Sequence, residues 1–62
     1  MTYREICKCL TDAGIENAEW DASLLIEHFC GVNASLVPID ADRDYPNPDL
    51  ADATDRRASR YP

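Results

Sequence analysis

The chain has 62 residues, twelve Asp and Glu against six Lys and Arg, a formal net charge of −6, and 45% hydrophobic residues. So short a chain buries only about 60% of the surface it exposes when unfolded, which allows one domain with a small core and no enclosed site for a substrate with its catalytic groups. The acidic balance argues against a general binder of phosphate backbones, which needs Lys and Arg in excess along one face. Neither catalysis by this chain alone nor direct contact with nucleic acid is expected.

Thr2 followed by Glu5 forms a capping box, so a first helix is expected to start there. On a 3.6-residue wheel Tyr3, Ile6, Cys7, Leu10 and Ala13 share one face, with Arg4, Lys8, Thr11 and Asp12 opposite, and Gly14 offers a left-handed stop. Ile15 and Glu16 read as a link. Asn17 is then a good N-cap and Gly31 a good terminator for a central helix. At 100° per residue Ala18, Ala22, Leu24, Leu25, Ile26 and Phe29 sweep a wide apolar arc, which leaves Glu19, Ser23, Glu27 and Cys30 to solvent. Trp20 falls at the rim, where its ring can cover a neighbour and its N–H find an acceptor.

Asn33 can cap a short third helix over ASLV, which Pro38 should close because the residue before a proline is driven from helical geometry. The run DADRDYPNP reads as a polar, proline-broken loop ending at Asn47, the N-cap of a fourth helix with Pro48 as first residue, running to about Arg60. Leu50, Ala53, Thr54, Ala58 and Tyr61 line one side of that helix, with Arg57 among them. The expected fold class is all-α, a small bundle of about four short helices in a single domain spanning 1–62.

Several constellations imitate chemical sites. Cys7-x-Cys9 with His28-x-Cys30 has zinc-binding residue types, but residues two apart on a helix point about 200° away from each other and cannot close on one ion. Asp40, Asp42 and Asp44 have the opening rhythm of a calcium loop, yet Tyr45 stands where the sharp turn wants glycine and Ala51 where a bidentate Glu belongs. A solvated acidic loop is the plainer reading. Three cysteines, Cys7, Cys9 and Cys30, suit reduced thiols rather than a disulfide framework.

MTYREICKCL lacks the basic segment and long apolar run of a secretory signal, and no stretch approaches the roughly 20 apolar residues that cross a bilayer. A cytoplasmic location without membrane contact is expected, where the formal glycosylation acceptor Asn33-Ala34-Ser35 would not be used.

Asp21 and His28 are the polar intruders of the central helix. Seven residues apart, they stand about 10 Å apart along the axis, too far for a catalytic dyad. No nucleophile, oxyanion nest or glycine-rich phosphate loop accompanies them. Structural roles are therefore expected: Asp21 favoured by the helix N-terminus and paired with Arg57 away from water, His28 hydrogen-bonded to a backbone carbonyl or a loop side chain that holds the third segment. The basic residues Arg56, Arg57 and Arg60 oppose an acidic remainder, and Arg56 and Arg60 are candidate partner contacts.

The stretch DASLLIEHFCG, Asp21 to Gly31, resembles the N-terminal helical domain of the HemK/PrmC family, the peptide chain release factor glutamine methyltransferases. AGIENAEWDA before it, a short helix after Gly31 and RRASRYP at the end agree in order and spacing, so the resemblance covers essentially all 62 residues. It implies a small helical bundle joined by a β-hairpin to a Rossmann-like domain that uses S-adenosylmethionine to methylate the glutamine of the Gly-Gly-Gln motif in release factors. The glycine-rich cofactor loop and the Asn-Pro-Pro-Tyr substrate motif of that domain do not occur in these residues, and YPNP at Tyr45 to Pro48 lacks the motif's order. The resemblance thus implies no catalytic, cofactor-binding or metal-binding residue here, and as partners a release factor and the chain's own methyltransferase domain. A free-standing acidic helical adaptor or calcium-sensing module is the alternative.

Overall fold

The computed structural model describes residues 1–60, with Arg60 placed as part of its helix without its side chain. Three α-helices, α1 (Tyr3–Asp12), α2 (Ala18–Cys30) and α3 (Pro48–Arg60), pack against one another, and a single 3-10 turn, η1 (Val37–Asp40), contacts α1 and α2. The chain is all-α among the described residues, with three α-helices in place of about four. The expected third helix is corrected twice: residues 34–36 form turns, and the short helix begins only at Val37. Pro38 opens this turn of helix rather than closing one, because the missing proline N–H costs nothing in a first turn.

Local chemistry explains both ends of α1 and the start of α3, whereas Asn17 stands at the N-cap of α2 without a side-chain capping hydrogen bond. Thr2 Oγ1 accepts from the Glu5 N–H at 3.1 Å while Glu5 Oε1 accepts from the Thr2 N–H at 2.9 Å, closing the capping box at the start of α1. At the other end Gly14 takes φ 88°. There its N–H donates to the Thr11 carbonyl at 2.9 Å and the Ile15 N–H to the Leu10 carbonyl at 3.1 Å, the paired bonds of a Schellman stop. That reversal carries Ile15 back under α1, where it is buried, so it is a core residue and not only a link.

The core joins Tyr3, Ile6 and Leu10 of α1 to Ala18, Ala22 and Ile26 of α2, with Leu50 from α3 and Val37 from η1. Tyr45, from the segment read as a polar loop, is buried beside them. Its place follows from a short antiparallel pairing of Thr2 with Asp44: the Tyr45 N–H donates to the Met1 carbonyl at 2.9 Å, and the Arg4 N–H to the Ala41 carbonyl at 3.2 Å. The segment after η1 is thereby laid along the start of α1.

On α2 two assignments reverse. Ser23 is 2% exposed and Leu24 39% exposed, the opposite of their expected sides. The apolar residues of this helix are spread so widely that the pattern does not choose between the two flanks, and packing decides. Burial of Ser23 is tolerated because its hydroxyl donates to the Glu19 carbonyl at 3.1 Å. Thr54 solves the same problem in α3, donating to the Leu50 carbonyl at 2.8 Å. Tyr61, expected on the inner face of α3, lies outside the described residues.

Asn47 does more than cap. Its Oδ1 accepts from the Asp49 N–H at 2.9 Å and the Leu50 N–H at 3.4 Å, while its Nδ2 donates to the Phe29 carbonyl at 3.0 Å, in the last turn of α2. Replacing Asn47 by Ala removes both functions and is expected to lower stability by about 1–3 kcal/mol in urea unfolding. Asn47→Asp keeps the cap but turns an acceptor toward the Phe29 carbonyl, so it should recover only part of the loss.

Candidate interaction surfaces

A groove between α2 and α3 and a cleft at the α1–α2 corner are open concavities of the described residues. The first is a groove of about 370 Å³ between α2 and α3, lined by Leu25, Phe29, Asp49, Asp52, Arg56 and Arg57 among others. At its edge Arg57 Nη2 donates to Asp21 Oδ2 at 2.9 Å, so the structure brings these two residues together. The pair is not away from water: the Arg57 side chain is 50% exposed and that of Asp21 20%. Position 57 lies toward the margin of the inner face of α3, where a long side chain reaches past the core to the rim of α2. Arg56 is bound within its own helix, Nη2 to Asp52 Oδ2 at 2.7 Å. The Arg60 side chain lies outside the described residues.

His28 does not act as expected. It is exposed and its ring meets the Phe29 ring edge-on, with centroids 4.8 Å apart and planes at 86°. Among the described residues it makes no hydrogen bond to a carbonyl or a loop side chain. The tether to the following segment comes from its neighbour: Glu27 Oε2 accepts from the Ala34 N–H at 2.9 Å, and the Phe29 carbonyl accepts from Asn47. Helix geometry accounts for the difference, since residues 27 and 28 point 100° apart and only the first faces the 33–36 turn. Sequence reading left Glu27 to solvent, and nothing in the local pattern marks it as a tether.

The acidic loop is distributed rather than convergent. Arg4 Nε donates to Asp42 Oδ1 at 2.8 Å and Nη2 to Oδ2 at 3.4 Å, Asp44 Oδ1 accepts from the Met1 amino group at 2.6 Å, and Arg43 lies 5.3 Å over the Tyr45 ring. Among the described residues no three His, Cys, Asp or Glu side chains are grouped to hold a metal ion. All three cysteines are free and half-buried. Burial pushes the Cys7 thiol pKa up, and likewise the phenol of Tyr3 beside it, so Cys7 stays a protonated thiol packed on the core.

The second surface is an open cleft of about 640 Å³ at the corner between α1 and α2, closed on its far side by the turn before η1. Glu16, Asn17, Glu19 and Trp20 form its rim, with Tyr3 and Ser23 toward its floor. Trp20, expected at the rim of the apolar arc of α2, is 59% exposed. Sequence reading gave this corner no role.

Residues 2–62 match the family model for the PrmC N-terminal domain. The chain belongs to that family. This agrees with the resemblance carried by DASLLIEHFCG and RRASRYP, and the match runs through all three helices of the fold. Comparisons with curated proteins and with solved structures give no match. No helix of the PrmC N-terminal domain described here is long and apolar enough to cross a membrane.

Two expectations follow from these contacts. Because Arg57 is half in water, a double-mutant cycle of Asp21→Ala and Arg57→Ala should give a coupling of roughly 0.2–1 kcal/mol rather than the several kcal/mol of a buried pair, fading at about 1 M salt. Asp21→Ala should cost more than Arg57→Ala, since it also removes an acid from the first turn of α2. For Asp42, the hydrogen bond and charge of Arg4 hold the carboxyl below its usual range. A depressed folded pKa contributes stability that is fully present above the unfolded value and lost as pH falls through the folded one. Any stability difference between the unmodified chain and Asp42→Asn in thermal melts should therefore be seen at neutral pH and shrink below about pH 3.9.

Proposed function

We propose that this chain is the substrate-recognition domain of an S-adenosylmethionine-dependent methyltransferase that acts in the cytosol on the glutamine of the Gly-Gly-Gln motif in peptide chain release factors. Its membership of the PrmC N-terminal domain family over residues 2–62 is the observation that carries this reading. The chemistry is assigned to a methyltransferase domain outside these residues. Both glycines of the chain, Gly14 and Gly31, follow the C-terminal ends of α1 and α2 with φ of 88° and 71°. The contribution of this domain is to hold the release factor so that the other domain's site meets the glutamine, an effect of positioning.

The surfaces suit that role. A core this small is filled by its own side chains, while Trp20, Leu24, Leu36 and Ile39 remain exposed as large apolar groups available to a partner. Against the calcium-sensing alternative, Asp42 and Asp44 are each engaged by a cation of the chain itself.

Methyl transfer to a release factor by the full protein with and without residues 1–62 tests this proposal. Removing the domain is expected to lower kcat/KM for the intact release factor by about tenfold or more, chiefly through KM, because uniform binding energy is lost. Transfer to a short Gly-Gly-Gln peptide should change little. Equal efficiency on the intact release factor would remove the recognition role.

A further inference from the structure

The charges of the domain are unevenly matched. Arg4 is paired with Asp42, Arg56 with Asp52 and Arg57 with Asp21, and Arg43 lies against Tyr45. At the α1–α2 corner the balance is different: Glu16 and Glu19 are exposed on the rim of the cleft, carry no salt bridge among the described residues, and no Lys or Arg lines the cleft with them. Between and beside these carboxylates stands Trp20, 59% exposed, with Leu24 one helical turn on and 39% exposed. An open concavity, an exposed indole and unneutralised carboxylates on one rim form a specific combination. Indole is the best side-chain face for a cation, and a guanidinium can stack on it while its N–H groups pair with an adjacent carboxylate.

We propose that this cleft is the docking surface for a basic segment of the protein partner, one that lays an Arg side chain on Trp20 and pairs it with Glu16 or Glu19. The proposal rests on the recognition role argued above and names the face that performs it. Charge complementarity selects the occupant. A second copy of the chain, itself at −6, would bring one acidic rim toward another. In the groove between α2 and α3, Asp52, Arg56 and Arg57 are already paired, Asp49 is left as a lone carboxylate, and the aromatic side chain lining it, Phe29, is half-buried.

The substitutions that test the cleft leave the fold intact, because what Glu19 gives to the interior is its backbone carbonyl, which accepts from Tyr3 and Ser23, and not its carboxylate. Binding of a release factor to the full protein is measured by calorimetry for Trp20→Ala, for Glu16→Gln with Glu19→Gln, and for Asp40→Asn with Asp55→Asn as a charge-matched control at exposed positions that line neither concavity. The deletion of residues 1–62 is measured beside them. The first two variants should each weaken binding by about tenfold or more, the carboxylate variant should flatten the dependence on salt, and the control should stay within about twofold. Unchanged binding in both cleft variants would overturn the proposed face while leaving the recognition role standing. An equal loss in the control would reduce the effect to general charge attraction and overturn the site. A fall in thermal stability of the full protein with binding unchanged would show the cleft to be covered by the chain's own following domain. Release-factor binding that survives deletion of residues 1–62 undiminished would overturn the recognition role, and the docking surface with it.

Discussion

A single amide, that of Asn47, ties the end of one helix to the start of the next, and the arrangement of the domain depends on that junction. α1, α2 and α3 have 10, 13 and 13 residues, lengths at which isolated helices are marginal in water. Their stability comes from being packed, and packing requires that the ends be held in register. Asn47 satisfies the first free N–H groups of α3 with its oxygen and a carbonyl of the last turn of α2 with its nitrogen. Glu27 adds a second tether from that same turn to the Ala34 N–H. The irregular stretch between Cys30 and Pro48, with only one short 3-10 turn, is therefore anchored near its beginning and at its end by the C-terminal part of α2. The pairing of Met1 and Thr2 with Asp44 and Tyr45 fixes its later part against the start of α1.

The same economy governs the charges. A chain at −6 with six cations uses three of them in internal ion pairs, to hold an exposed loop to α1, to bridge α2 and α3, and within α3. Such surface pairs add little stability each. Their larger consequence is the charge they leave behind: Asp21 and Asp52 are each met by an arginine of α3, whereas Glu16 and Glu19 at the α1–α2 corner have no ion pair among the described residues. Surface charge and exposed apolar groups are in general the means by which a small domain selects a partner.

Legibility from sequence varied with the range of the interaction. Capping at Thr2, the stop at Gly14 and the start of α3 at Asn47 and Pro48 were readable because the partners lie within a few residues. The inner face of α1 was readable because its apolar and polar residues separate cleanly around the helix. The family resemblance was readable for the same reason, since it rests on the order of residues along the chain. The meeting of Asp21 and Arg57 was inferred from the conflict between a charge and an apolar face, and the contact is there, but the inference placed it in the interior. Whether the end of a long arginine side chain is wet depends on how far α3 stands from α2, which no spacing in the sequence records. His28 was misread on the same ground: one position along α2 separates a tether from an exposed ring.

The amino-acid sequence by itself determined where the three α-helices begin and where α1 and α2 stop, the all-α class, the acidic surplus and the family, because these follow from local hydrogen-bond chemistry, periodicity and residue order. Only the tertiary structure decided that Ser23 is buried and Leu24 exposed, that Ile15 and Tyr45 complete the core, that Glu27 rather than His28 holds the following segment, and that Glu16, Glu19 and Trp20 share a cleft. Each of these depends on the rotation and separation of one helix relative to another. In a chain this small those quantities are set by the summed packing of all three helices and the loop between them, not by any stretch taken alone.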